Sequence, residues 1–249
     1  MTQDTDKTAL ILAAGKGKRM RSDLPKVLHR LNGRYIVDYV IDAARKAGID
    51  RQVLVIGHKA ELVREAMAGK DVLFALQAEQ LGTGHAVMMA GEHLRGFSGD
   101  LVVLCGDMPL VKPETIKRLV EERQRLNAAA VVLTVFLDNP GKYGRIVRDE
   151  KGLLKAIVEY RDADKKIRKT KEVNTGAYCF DWQKLEKILG ILKADNDQKE
   201  YYLTDSISIF VKQGETVGAL TASDPNEGFG INSAEELTIM ESLIKNGTK

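Results

Sequence analysis

Only two cysteines occur in 249 residues, Cys105 and Cys179, far apart and in apolar segments. Two thiols make no disulfide framework, and their setting predicts reduced, buried side chains. No C-x-x-C is present, and His29, His58, His85 and His93 lack the close spacing of a zinc site. No G-x-S-x-G occurs, which argues against an α/β-hydrolase nucleophile. No stretch reaches the ~18 apolar residues that would span a membrane. A dominant charge is missing too. Thirty-eight basic against 35 acidic residues leave a net charge of +3, without the concentrated patch of a nucleic-acid binder. The first ten residues, MTQDTDKTAL, are polar and acidic, unlike a secretory leader. The expectation is a soluble cytoplasmic protein with no nucleic acid and no membrane among its partners.

What is present reads as globular. The hydrophobic fraction is 44% and the charged fraction 29%, and the length suits one large domain or two small ones. Short apolar runs alternate with helical patterns. Strand-like runs fall at 8–14, 52–56, 71–76, 100–105 and 128–138. Helical spacing marks 35–47, 59–69, 83–94, 113–127, 201–212 and 233–246. Pro113 opens one of these helices and Gly48 closes another. Ser233 and Glu236 have the spacing of a capping box. This order predicts an α/β fold, a Rossmann-like, mostly parallel sheet flanked by helices. After Asn139 the texture changes. Residues 143–160 read as a hairpin turning near Glu150, Lys151 and Gly152, and 161–171 as a solvated loop. The segment 140–200 is expected to form a smaller lobe, with 1–139 and 201–229 as the core and 230–249 as a closing segment.

The sharpest motif is LAAGKGKRM at 12–20, directly after the first strand. It is neither a P-loop, which needs G-x-x-x-x-G-K-[ST], nor a dinucleotide fingerprint, whose third glycine is here Met20. Gly15 and Gly17, with Lys18, Arg19 and Lys26, suit a polyphosphate cradle; an ordinary glycine turn with solvated charges fits the spacing equally. CGDMP at 105–109 puts Asp107 beyond a strand, where a metal or a phosphate would sit, although Asp and Pro also simply make turns. In QAEQLGTGHA at 77–86, Gln77 and Gln80 offer donors and acceptors for a base edge, and Gly82 and Gly84 permit close approach. There Thr83 could equally cap the next helix.

In this order these segments resemble the sugar-nucleotidyltransferase family. The match runs through 12–29, 76–87, 104–110, 143–147 (YGRIV), 157–163, 172–178 (EVNTGAY), 200–205 and 230–232. LPKVLH and EQLGTGHA set the chain nearest to the uridyltransferase domains of bacterial bifunctional N-acetylglucosamine-1-phosphate uridyltransferases.

The resemblance implies UMP transfer from UTP to N-acetylglucosamine 1-phosphate, giving UDP-N-acetylglucosamine and pyrophosphate, with Mg²⁺ as cofactor. It implies that Leu12, Ala13, Ala14 and Gly15 surround the nucleotide. Arg19 and Lys26 would hold the triphosphate, while Gln77, Gly82 and Thr83 read uracil and fix the nucleoside. Asp107 and Asn232 would bind Mg²⁺. Gly144, Glu159 and Asn174 would hold the acetamido sugar, with Tyr202 lining that pocket. Another sugar 1-phosphate, such as glucose 1-phosphate, and a non-catalytic nucleotide-sensing module are the alternatives. The hexapeptide-repeat β-helix of the bifunctional enzymes has no counterpart in these residues. The corresponding expectations are a monomer and no acetyl transfer.

Overall fold

The apolar runs become strands because nearly every side chain along them, the edge strand at 73–76 excepted, is buried on one sheet face or the other. The computed structural model describes residues 7–247; residues 1–6 and 248–249, with the side chains of Lys18 and 245–247, lie outside that description. Most of the polar, acidic opening considered above, and the side chain of Lys18, therefore fall outside it.

In chain order the elements are β1 (Lys7–Leu12), β2 (Arg30–Leu31), β3 (Arg34–Tyr35), α1 (Ile36–Lys46), β4 (Gln52–Ile56), α2 (Ala60–Ala66), β5 (Leu73–Leu76) and α3 (Thr83–Met89). There follow β6 (Asp100–Cys105), α4 (Pro113–Leu126), β7 (Ala130–Phe136), β8 (Arg145–Arg148), β9 (Leu154–Val158) and β10 (Glu172–Asp181). The last four are α5 (Trp182–Leu189), α6 (Asp205–Lys212), β11 (Val217–Thr221) and α7 (Ala234–Gly247).

The main sheet runs β11-β7-β10-β6-β1-β4-β5, with β8 and β9 attached beyond β10. β1 pairs in parallel with β4 and β6, and β4 with β5. β10 lies antiparallel between β6 and β7. Alternate residues of each strand feed two separate cores. Ala9, Ile11, Leu54, Ile56, Val102 and Leu104 face Val40, Ile41, Val63, Ile116 and Leu119. Leu10, Val53, Val55, Leu101 and Val103 face Val87, Leu185, Ile188, Ile207 and Phe210. Strands covered on both faces must read as continuous apolar runs, as these do. Full burial of each Val, Leu or Ile contributes roughly 1.5–3 kcal/mol. A smaller cluster of Met20, Leu31, Ile36, Ile231 and Met240 seats α7.

The mostly parallel, doubly covered sheet expected from the sequence is present. Some boundaries differ. The helix expected over 83–94 is α3 followed by a separate 3-10 turn at Gly91–Leu94. Within 140–200, β8 and β9 form a hairpin joined to the sheet through β10, and β10 itself is built into the middle of the central sheet. Cys179 is buried as expected, but Cys105 is only half-buried. The capping box is real but offset. Glu236 N–H donates to Ser233 Oγ at 3.2 Å, while its carboxylate accepts from Asn232 N–H rather than from Ser233.

Candidate active site

Parallel strands end on the same side, so the turns that follow β1, β6 and β5 open onto one edge. Leu12 and Cys105 are direct register partners, and Gly106 N–H donates to Leu12 O at 2.9 Å. The glycine-rich turn after β1 therefore lies beside Asp107. Gln77 follows β5 on the same edge, its N–H bonded to Ile56 O at 2.8 Å. This is the carboxyl edge where open α/β sheets take their ligands.

Leu12, Ala13, Ala14, Gly15, Lys26, Gln77, Gly82, Thr83 and Asp107 line one cavity of about 480 Å³. Gln77 Nε2 donates to Gly82 O at 3.0 Å and lies 3.1 Å from His85 Nδ1. An amide whose hydrogens are used in this way keeps its carbonyl as an acceptor. Gly82 sits at φ +106°, and a Cβ there would come within 2.6 Å of Tyr201 O, so only glycine fits. Thr83 does not cap α3 with its side chain. Its hydroxyl accepts from Leu203 N–H at 3.0 Å, tying this cavity to the segment before α6.

Lys26 differs from its expected posture. Its ammonium is salt-bridged to Asp107 and donates to Asn232 Oδ1 at 3.0 Å. Gly17 makes this packing possible, because a Cβ there would stand 2.9 Å from Lys26 Cβ. Asn232 reaches the site through Ile231, whose N–H donates to Asp107 O at 2.9 Å. One carboxylate and one carboxamide oxygen thus converge on a single cation. Such a pair fits Mg²⁺, which is commonly held by one or two protein oxygens while phosphates and waters complete its shell. Among the described residues no group of three or more His, Cys, Asp and Glu could hold a metal, so no all-protein cage competes with this pair.

Gly144, Glu159 and Asn174 line a second cavity of about 230 Å³, which adjoins the first through Leu12, Thr83 and Cys105. Glu159 accepts from Thr204 Oγ1 at 3.3 Å. Burial pushes its acidity constant above the usual carboxylate value, opposed by the Thr204 bond and reinforced by Asp162, Asp205 and Glu200. A Cβ on Gly144 would lie 3.3 Å from the Glu159 carboxylate, so the two walls nearly touch. Asn174 is largely committed to its own strand. Its amide donates to Tyr178 Oη at 2.7 Å and accepts from Gly176 N–H at 3.0 Å, at the irregularity where β10 slips against β7.

Two expected residues lie elsewhere. Arg19 is exposed and lines a third cavity with Lys142, Glu159 and Arg161, not the cavity that Lys26 lines. Tyr202 is buried, its hydroxyl accepting from Gln198 at 2.8 Å, and it lines neither of the first two cavities. Sequence reasoning missed Thr204 and Lys142, and placed Cys105 in the core rather than at the junction of the cavities. Burial, with Asp107 adding to it, pushes the Cys105 thiol up to about 12, so it is protonated at neutral pH and is no nucleophile.

A glycine-rich turn and an acid thus meet on the carboxyl edge of a doubly covered sheet, the edge where α/β proteins take their ligands. The MobA-like NTP transferase domain matches residues 9–173, and the chain belongs to that family. "Bifunctional protein GlmU" of Streptococcus thermophilus is 48% identical over 237 residues, 95% of this chain and 51% of that protein. The protein of the same name from Clostridioides difficile is 45% identical over 237 residues, again 95% of this chain and 51% of the relative. The chain thus spans about half the length of the curated relatives it matches. Among solved structures, a UDP-glucose pyrophosphorylase complexed with UDP-glucose superposes with a TM-score of 0.78 at 19% identity, covering 98% of this chain and all of that one. A putative glucose-1-phosphate thymidylyltransferase from Bacillus anthracis gives a TM-score of 0.79 at 18% identity, with 96% of each chain covered. These two establish likeness of fold. No helix among the described residues is long and apolar enough to cross a membrane.

Proposed function

We propose that this chain transfers UMP from UTP to N-acetylglucosamine 1-phosphate, releasing pyrophosphate. The observation that carries the reading is the pair of adjoining cavities. The larger offers a glycine-rich turn, a lysine and a fixed amide, and the smaller offers a carboxylate and a carboxamide suited to hydroxyl groups. The junction at Leu12, Thr83 and Cys105 is where the two substrates meet. The sugar nucleotides and sugar phosphates named for the two solved relatives support a substrate of this kind, and the sequence resemblance specifies the acetamido sugar.

In this reading Leu12 to Gly15 enclose the nucleotide, and Gln77, Gly82 and Thr83 fix its base and ribose. Gly144, Glu159 and Asn174 hold the sugar. A phosphate monoester is largely dianionic at neutral pH. Its oxygen attacks the α-phosphorus in line, the bond to the β-phosphate oxygen breaks, and pyrophosphate leaves with that electron pair. No protein nucleophile or base is required, and none is found at the junction. The chain's part is alignment and charge stabilisation. Lys26 exchanges its present partners for the phosphates, and Arg19 approaches them from the third cavity. Asp107 and Asn232 would hold Mg²⁺, which when bound stabilises the charge on the α-phosphate and the leaving group.

The test is pyrophosphate release from UTP with a panel of sugar 1-phosphates, with and without Mg²⁺. Preference for N-acetylglucosamine 1-phosphate is expected. Preference for glucose 1-phosphate would change the acceptor, and nucleotide binding with no release from any sugar would make the chain a sensor.

Glu159 gives a prediction with two signs. Its proton is held more tightly in the folded chain than in the unfolded one, because burial disfavours the charge. The stability this contributes is complete below the ordinary glutamate value near ~4.3 and is lost as pH rises through the raised value. Above that raised value the ionised group therefore opposes folding. Glu159→Gln is expected to raise Tm increasingly as pH climbs through it, with the gain vanishing in acid. The same variant is expected to raise KM for the sugar phosphate far more than KM for UTP. Equal rises in both constants would take Glu159 out of the sugar pocket.

A further inference from the structure

Among the residues that line the smaller cavity, Lys142 is the sole cation and Glu159 the sole anion. Lys142 also lines the third cavity, where it shares the space with Arg19. Its side chain is exposed, and it makes no ion pair or hydrogen bond with any described residue. Lys26 and Arg161, by contrast, are both paired, with Asp107 and Asp197.

The backbone that carries Lys142 is fixed. Arg145 is 2% exposed and has no carboxylate partner among the described residues. Its guanidinium donates to Gly141 O at 2.8 Å and to Tyr143 O, the carbonyls on either side of Lys142. It also donates to Arg168 O at 3.2 Å, which binds this loop to the one after β9. A buried cation is costly, and here its hydrogen bonds go to holding the loop. The outcome is a free ammonium on a clamped segment at the mouth of the cavity that holds Glu159.

We propose that Lys142 binds the phosphate of the sugar 1-phosphate and so holds the attacking oxygen. This rests on the reading given above and adds a residue to it. A dianionic acceptor entering a cavity whose sole anion is Glu159, toward a triphosphate, meets repulsion from both. A cation at that mouth offsets the repulsion without occupying the sugar's own hydrogen-bonding groups. A lysine suits the task because its stem is flexible and its charge compact, so it can follow the phosphate to the junction.

The experiment compares the full chain with its K142M and K142R variants, measuring KM for N-acetylglucosamine 1-phosphate and for UTP, and Tm. Lys142→Met is expected to raise KM for the sugar phosphate at least fivefold, with KM for UTP within twofold and Tm unchanged. Lys142→Arg is expected to recover most of the loss. A rise below fivefold, equal rises in both constants, or no recovery with arginine would overturn the proposal. The pair of changes is then repeated in Glu159→Gln. If Lys142→Met has no effect there, Lys142 acts only by neutralising Glu159, and the proposal fails. Should the wild type release no pyrophosphate, calorimetry with N-acetylglucosamine 1-phosphate separates the two ideas. Binding that Lys142→Met weakens fivefold keeps the phosphate site while the reaction is wrong, and binding that is absent or unaffected by Lys142→Met overturns the site as well.

Discussion

Asp107→Ala is expected to lower kcat at least ~10²-fold while UDP-sugar binding without Mg²⁺ survives within a few-fold. The asymmetry follows from what Asp107 touches. Its carboxylate faces Lys26, and with Asn232 it forms the oxygen pair at the phosphate end of the larger cavity. Among the described residues it has no hydrogen bond to Gln77 or Gly82, which are proposed to form the base end. Charge on the α-phosphate and the leaving group grows as the reaction proceeds, so a group serving that charge matters more to the transition state than to the ground state. A competing account makes Asp107 a turn residue, since its backbone carbonyl already accepts from Ile231 N–H at 2.9 Å. That account predicts an earlier melt with Mg²⁺-dependent turnover intact at low temperature. Alanine keeps the backbone bond, so an unchanged Tm with lost turnover would decide for the carboxylate.

Lys26→Met is expected to lower kcat by about 10² as well, the order seen when one donor to a developing anion is removed. Methionine matches the stem's length and should preserve packing against Gly17, so Tm should stay within a few degrees. Lys26→Arg is not expected to rescue. The guanidinium is broader than the ammonium that now fits between Asp107 and Asn232, and the two side chains are not interchangeable at such a site. Turnover within fivefold of wild type in Lys26→Met would show that the lysine serves only to neutralise Asp107.

The parts of this site written locally were readable in the sequence. An apolar run ending in Leu12-Ala13-Ala14-Gly15 marks both a buried strand and the turn after it, and the run ending at Cys105 places Asp107 in the same way. The carboxyl-edge rule then brings the two together. The hairpin β8–β9 was readable from its turn residues. β10 was not, because Asn174 and Gly176 interrupt its alternation where the register slips, and a strand that joins the sheet from the opposite direction leaves no mark on its own residues. Pairings across long separations were equally silent. Lys26 meets Asp107 and Asn232 at separations of 81 and 206 residues, so its charge suggested phosphate but not the partners it holds. Thr83 looked like a cap because its neighbours form a helix, while its hydroxyl is spent on Leu203. Lys142 sits among ordinary surface charges, and only the clamp on its flanking carbonyls distinguishes it.

The place of β10 also orders events on the way to the folded state. β6 and β7 follow one another in the chain, yet they never pair; each hydrogen-bonds to β10 instead. When 171 residues have been made, β6 has one strand edge open and β7 has both, since β11 is also still to come, and most residues of the two strands are buried and apolar. Such edges are the usual route to mispairing with another chain. By that length every residue lining the larger cavity except Glu200 has already been made. All of the proposed nucleotide end except Glu200 and Asn232 is thus made before its supporting sheet can close, and the stretch that closes it is the one carrying Asn174 and the wall of the proposed sugar pocket. The two cavities proposed to take the two substrates are joined by the last long strand to arrive.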